Sequence, residues 1–345
     1  ARRPIVDMGA YDVELSSRLN PTAGSLHSIF EELRNNPKRV VFAEGEEEKS
    51  IRAAYAFING GFGAPILVGR EERIKDAFDR LGLPAAEGIE ITNSKLSNET
   101  ARYIGMLYER MQRRGYLERD CERLVKRDRN LFGALMVDAG DADVLITGLT
   151  RNYHRALQQI MHVLTPAEDH HAFGLSLVMS RGQTLFVADT AVHEVLSAEQ
   201  IADISEQTAK VARSLGHEPR VALISYSNFG HPELPRAQVV RDAIELLNER
   251  NVSFEYEGEM TVEIALNPEV MKNYPFCRLK GPANVLIMPS LHTSQVSTQL
   301  LKELGGGTVL GPVLMGLSKP AQIVPMGTTV SDMVNMVALA ARGAD

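Results

Sequence analysis

Short apolar runs alternate with amphipathic stretches along most of the chain. "RVVFAEG" (39–45) reads as a strand, and "EEEKSIRAAYAFING" after it as a helix with Ile51, Ala54, Tyr55 and Ile58 on one face. Gly60, Gly61 and Gly63 stop that helix; "APILVG" (64–69) is the next strand and "REERIKDAFDRLGL" the next helix. "GIEIT" (88–92) is a third strand, Asn98 to Gly140 holds three helices, "ADVLITG" (142–148) is a fourth strand and "NYHRALQQIMHVL" (152–164) a helix. This β-then-α rhythm predicts a parallel, helix-covered sheet.

The rhythm changes after "TPAEDHH" (165–171). "GLSLVMS" (174–180) and "QTLFVAD" (183–189) flank "RG", the pattern of a hairpin. Alternation then resumes: a helix over Ala198–Leu215, strand "RVALISYS" (220–227), a helix over Arg236–Glu249, strand "SFEYEG", strand "ANVLIMP" (283–289), a helix near 295–304, strand "TVLGPVL" (308–314) and a last helix over 331–342. Two α/β domains with a break near Pro166 follow, preceded by a linker (1–38) that holds a helix over Gly24–Asn35. The pattern leaves open to which domain the last helix belongs.

Composition narrows the functional classes. With 345 residues, 44% apolar and 23% charged, the chain is an ordinary globular protein large enough for two domains. Its net charge of −7 argues against a general nucleic-acid binder. Cys121 and Cys277 are its two cysteines, a usage that suits a reducing, cytoplasmic compartment. No apolar run approaches the roughly 20 residues that span a bilayer, and the N-terminal stretch has no signal-peptide core.

Several stretches hold candidate chemistry. In "SYSNFGHPELPRAQVVRDA" a strand ends at Ser225 and Ser227, a polar loop with Asn228 follows, and a helix starts near Pro235. Ligands of parallel sheets gather at such strand ends, and the hydroxyls and loop N–H groups suit phosphate or carboxylate; a plain strand-to-helix connection fits equally. "LITGLTRNYHRALQQI" ends a strand at Thr147, Gly148 and Thr150 and places Arg151 and Arg155 at a helix start, either as anion partners or as solvated charges. The glutamates of "EGEEEKS" (44–50) read as complements of a helix dipole rather than a magnesium site. Asp169, His170 and His171 could ligate a metal, but lack further spaced ligands and read as a solvated loop. In "IVPMGTTVSDMV" Thr329 is an N-cap with Asp332 three residues on, so a helix N-terminus offers an anion site. Pro325 and Met326 just before it carry neither charge nor hydroxyl.

"RVVFAEGEEEKSIRAA", "FGALMVDAGDADVLITGLT", "VALISYSNFG", "YEGEMTVEIALNPEV", "GPANVLIMP" and "GPVLMGLSKP" together resemble the phosphate acetyltransferase (phosphotransacetylase) family from Lys38 onward. The resemblance implies two α/β domains with a coenzyme A cleft between them. It also implies that the chain returns to the first domain, giving 39–164 plus 318–345 and 165–317. In active members the "IVPMGTTVSDMV" stretch resembles "LSRGCSVEDIV"; its Ser-Arg pair becomes Pro325 and Met326, and Asp332 remains. The arginine of "TLRPALQ" falls on His154 with Arg155 adjacent, "PDLN" becomes Pro289–His292, and an "LRKHKG" arginine falls near Met111. "RRPIVDMGAYDVEL", "PKRVVFAEGEEE" and "TGLTRNY" look like the C-terminal part of the large bacterial NADP-dependent malic enzymes. That subgroup implies a regulatory module without a transferase reaction of its own. Acetyl-CoA or a related acyl-CoA is its expected effector, a homo-oligomer of at least two copies its expected assembly. NADP and a divalent metal are expected only in a malic-enzyme domain outside this sequence. An active phosphate acyltransferase and a purely structural oligomerisation module are the alternatives. The expected ligand-binding residues are Arg151, Arg155, Ser225, Ser227, Asn228, Lys319 and Asp332.

Overall fold

The computed structural model describes residues 21–84, 88–180, 183–233, 235–304 and 308–342. The N-terminal "RRPIVDMGAYDVEL" stretch and the "RG" turn at 181–182 lie outside them. The described residues form two compact units: Ile29–His170 with the segment from Val313 onward, and His171–Pro312 with 21–28.

In the first unit, β1 (Lys38–Phe42), β2 (Gly63–Val68), β3 (Glu90–Thr92), β4 (Val144–Thr147) and β11 (Ala321–Ile323) form a sheet in the order β11-β4-β1-β2-β3. All four neighbouring pairs are parallel. The consecutive burial of Val40, Val41 and Phe42, and of Val144, Leu145 and Ile146, is what helices on both faces of a sheet produce. β11 settles what periodicity left open, since the end of the chain adds a strand beside β4 and the helix Val330–Ala341 packs on the helix Glu48–Asn59. Buried Gln322 on β11 receives the N–H of Leu314 at 2.8 Å and donates to its carbonyl at 3.0 Å, doing with a side chain what a neighbouring strand would do with its backbone.

The second unit carries a six-stranded sheet, β10-β5-β6-β9-β7-β8, from β5 (Phe173–Ser180), β6 (Gln183–Ala188), β7 (Arg220–Ile224), β8 (Glu255–Met260), β9 (Val285–Ile287) and β10 (Thr308–Met315). β5 and β6 pair antiparallel, from Leu175↔Ala188 to Ser180↔Gln183, the hairpin the alternation predicts. β6–β9, β9–β7 and β7–β8 pair parallel.

Four helices differ from the periodicity reading. The helix Leu291–Leu304 begins earlier than 295, because Ser290 caps it: its hydroxyl accepts the Thr293 N–H and its carbonyl the Ser294 N–H. Two short helices, Val262–Leu266 and Pro268–Met271, fill what reads as loop; Asn267 caps the second by accepting from Glu269 N at 3.0 Å, with Pro268 opening it. The N-terminal helix runs from Pro21 to Asn35, longer than its Gly24 start suggests.

β1–β2 pairing depends on one glycine. Gly63 has φ +146, and a Cβ there would stand 1.9 Å from the Lys38 carbonyl oxygen. Gly63→Ala is expected to lower stability by about 2 kcal/mol or more. Urea unfolding checks this, and an unchanged midpoint would contradict the register.

Candidate functional site

The carboxyl ends of β1 and β4 come together in the first unit. Glu44 follows β1 and is buried. Its Oε2 accepts the N–H groups of Gly148 at 2.8 Å and Leu149 at 2.6 Å, and its Oε1 accepts that of Thr150 at 2.8 Å. The Thr150 hydroxyl donates to the same oxygen. Successive N–H groups converging on one point make an anion-binding nest. The "TGLT" loop takes this shape because Gly148 has φ +120, and a Cβ there would meet the Val324 carbonyl oxygen at 2.2 Å. The nest holds a carboxylate supplied by the chain itself.

Glu46 is the second organising acid. It accepts from Arg70 N at 2.9 Å, Arg70 Nε at 3.0 Å and Arg70 Nη2 at 3.0 Å. Arg129 Nη2 lies 3.2 Å away and Arg73 Nη1 3.6 Å. Its side chain is 9% exposed, and the Arg70 hydrogen bond, with Arg129 nearby, holds its carboxyl down to about 2. These groups, with Asn130, Thr150 and Arg151, line a cavity of about 440 Å³. The sequence pattern of "EGEEEKS" predicts dipole complements. Glu48 fits that description, in the first turn and paired with Arg52, but Glu44 and Glu46 precede the helix and organise the strand ends. Their position straight after an apolar strand was the available signal.

Arg151 is drawn onto Asp128, its Nη1 2.9 Å from Oδ2, while Asp128 Oδ1 caps the helix Arg129–Ala139 by accepting from Asn130 N at 3.0 Å and Leu131 N at 3.2 Å. Asn130 in turn accepts from the Thr147 hydroxyl at 2.6 Å. Arg155 lies exposed on the helix Tyr153–Ile160, capped by Asn152, and makes no ion pair among the described residues. Lys319 donates to the carbonyls of Val137 at 3.2 Å and Asp138 at 3.0 Å, closing the C-terminal end of the helix Arg129–Ala139. Thr329 caps the last helix by accepting from Asp332 N at 3.1 Å, and donates its hydroxyl proton to Asp332 Oδ2 at 2.7 Å. Before it, Pro325 offers a carbonyl to Thr328 N, and Met326 is 61% exposed with its carbonyl accepting from Lys49 Nζ at 3.2 Å.

In the second unit the loop after β7 gathers Ser225, Ser227 and Asn228. The two serine hydroxyls are 3.1 Å apart, and Ser227 donates to Glu259 Oε1 at 2.6 Å. Glu259, fully buried, also accepts from Gly230 N at 3.1 Å and from Arg241 Nη1 at 3.0 and 3.1 Å. Asn228 Oδ1 accepts from Thr261 N at 2.9 Å. The loop is thus clamped to the end of β8 by a buried ion pair. At the "AEDHH" stretch, His171 Nδ1 is 2.9 Å from Asp203 Oδ2, which also accepts the His171 N–H. Among the described residues no group of three or more His, Cys, Asp or Glu side chains is placed to hold a metal ion. None of the described helices is long and apolar enough to cross a membrane.

Glu46→Gln is expected to destabilise the protein by about 2 kcal/mol at neutral pH. The folded carboxyl titrates near 2 against an ordinary 4.5, so the deficit is full above about 4.5 and fades as pH falls towards about 2. Urea midpoints of both proteins, measured from neutral pH downward, check this; a gap that does not narrow would contradict it.

The family model of phosphate acetyl/butaryl transferases matches residues 25–341. An NADP-dependent malic enzyme of Rhizobium meliloti (strain 1021) is 49% identical over all of this chain, which covers 45% of that protein. The NADP-dependent malic enzyme of Escherichia coli (strain K12) is 36% identical over 99% of this chain and 46% of its own length. The chain therefore spans less than half of these relatives, matching their C-terminal part. A phosphotransacetylase from Streptococcus pyogenes superposes with a TM-score of 0.85 at 25% identity, covering 92% of this chain and 98% of its own. With the match running through both sheets and every strand-end loop described above, the chain belongs to the phosphate acetyl/butaryl transferase family.

Proposed function

We propose that this chain is the regulatory, acetyl-CoA-binding and oligomer-forming part of an NADP-dependent malic enzyme. Such an enzyme would oxidatively decarboxylate malate to pyruvate in a catalytic domain outside this sequence, where NADP and a divalent metal would bind. The observation that carries the reading is Pro325–Met326 at the loop where active relatives of the resemblance have a Ser-Arg pair. Acyl transfer to phosphate needs a held anion and an aligned thioester. Losing one charged positioning group costs on the order of 10² to 10³ in rate. Proline has no side-chain donor and methionine no charge, so neither replaces a guanidinium. Binding of an acyl-CoA draws on contacts spread along a long ligand and survives that loss. The match of nearly all of this chain to part of malic enzymes supports the same reading.

Regulation requires that acetyl-CoA bind one state of the assembly better than another. A helix face supports the assembly. Val296, Leu300 and Leu304, spaced four residues apart on the helix Leu291–Leu304, are 59%, 53% and 81% exposed, an apolar stripe for a second copy to cover. A working acyltransferase is the competing reading, favoured by the unengaged Arg155.

Isothermal titration of the chain with acetyl-CoA is expected to show saturable binding, and sedimentation is expected to show an oligomer whose size or stability shifts with the ligand. No heat at millimolar acetyl-CoA would overturn the effector assignment. An oligomer indifferent to a ligand that does bind would overturn the regulatory one.

A further inference from the structure

A second cavity opens at the carboxyl ends of β2 and β3, where Gly69 and Asn93 follow the strands. Its volume is about 370 Å³, inside the range of about 300–1,000 Å³ usual for ligand pockets. Arg70, Lys95, Lys126, Arg127 and Arg129 line it, against one acid, Glu46. This surplus runs against a chain whose net charge is −7. Arg70 and Arg129 converge on Glu46, which fixes their guanidinium groups at the cavity wall. Lys126 pairs with Glu122 at 2.6 Å. Arg127 is exposed, and neither its side chain nor that of Lys95 has a hydrogen bond or ion pair among the described residues. Two carboxylates, Glu46 and Glu122, do not neutralise five cations brought to one concave surface at a strand-end edge, the place where parallel sheets hold ligands. Beside the cations, Val68 forms an apolar floor and Leu96, 80% exposed, an apolar rim.

We propose that this cavity binds a diphosphate group joined to a flat or apolar moiety, the chemistry of a nucleoside diphosphate. Forked guanidinium groups match phosphate oxygens in pairs, the two lysines add point charges, and Leu96 covers the attached moiety. The diphosphate belongs either to a free nucleotide or to the nucleotide end of a coenzyme A ester. None of the residues of the cavity is among those expected to hold acetyl-CoA, but Glu46, Arg70, Arg127 and Arg129 also line the neighbouring cavity at Arg151, so separate titrations are needed to tell this site from the effector reading.

The test titrates inorganic pyrophosphate, ADP and acetyl-CoA separately into the full chain, its Arg127→Ala variant and its Arg127→Ala/Arg129→Ala variant. Pyrophosphate and ADP are expected to bind, more weakly as salt is raised, and the double variant to lose about tenfold or more. Arg127→Ala removes a charge that contacts nothing described, so its loss of about threefold to tenfold is not a folding defect; thermal melts confirm that both variants are folded. Acetyl-CoA weakened by the same factor assigns the diphosphate to the coenzyme; acetyl-CoA unaffected assigns it to a free nucleotide. Pyrophosphate and ADP that fail to bind at millimolar concentration, or bind both variants as tightly as the parent, overturn the site. In that event intact acetyl-CoA binding leaves the effector reading standing, and the reverse pattern removes that reading alone.

Discussion

The Glu44 carboxylate in the Gly148–Thr150 nest is the contact on which the first unit's functional edge depends. Three adjacent N–H groups and a hydroxyl point at it from the end of β4, and the acid itself comes from the end of β1. A nest of this kind accepts an external phosphate when it is empty. Here an internal anion fills it, which ties β1 to β4 and leaves no donor of that loop over for a second anion. Removing Glu44 would leave converging donors in a buried place without an acceptor, so the acid and the loop have to be kept together.

The same principle recurs at other strand ends. Ser227 and Gly230 donate to Glu259, which Arg241 neutralises; Arg151 is drawn to Asp128; Lys319 closes a helix end. Most of the polar groups that a phosphotransacetylase-like fold presents at its strand ends are therefore engaged with one another. Cations remain outward-facing: Arg155 on one helix, Arg127 and Lys95 around the β2–β3 cavity. A surface with held acids and free cations is suited to gripping phosphorylated ligands, and the absence of a charged pair at Pro325–Met326 is what the proposed regulatory reading turns on.

Much of the architecture could be read from the chain alone. Apolar runs such as "RVVFA" and "ADVLIT" mark buried parallel strands because a strand covered on both faces has no polar side to alternate. The hairpin "GLSLVMSRGQTLFVAD" announced itself by its short spacing. The three-residue β11 did not, because "AQI" is too short to show a period and its one polar residue, Gln322, is buried by a hydrogen bond no sequence pattern reveals. Ser290 and Asn267 have the chemistry of caps, but each precedes a helix without an obvious amphipathic start. The serines of "SYSNFG" were recognised as neighbours at a strand end, but their partner Glu259 lies on another strand and could be joined to them only in three dimensions. Glu44 and Glu46 were hidden in a run of acids whose average looks like a helix start, and only the backbone's turn after β1 separates the two structural acids from the solvated ones.

Under the proposed reading, this chain binds acetyl-CoA without breaking it. Free thiol released from acetyl-CoA by this chain, with and without inorganic phosphate, tests that claim most directly. The expected rate is phosphate-independent and no greater than that of the uncatalysed thioester. Sustained, phosphate-dependent thiol release with matching formation of acetyl phosphate would contradict it.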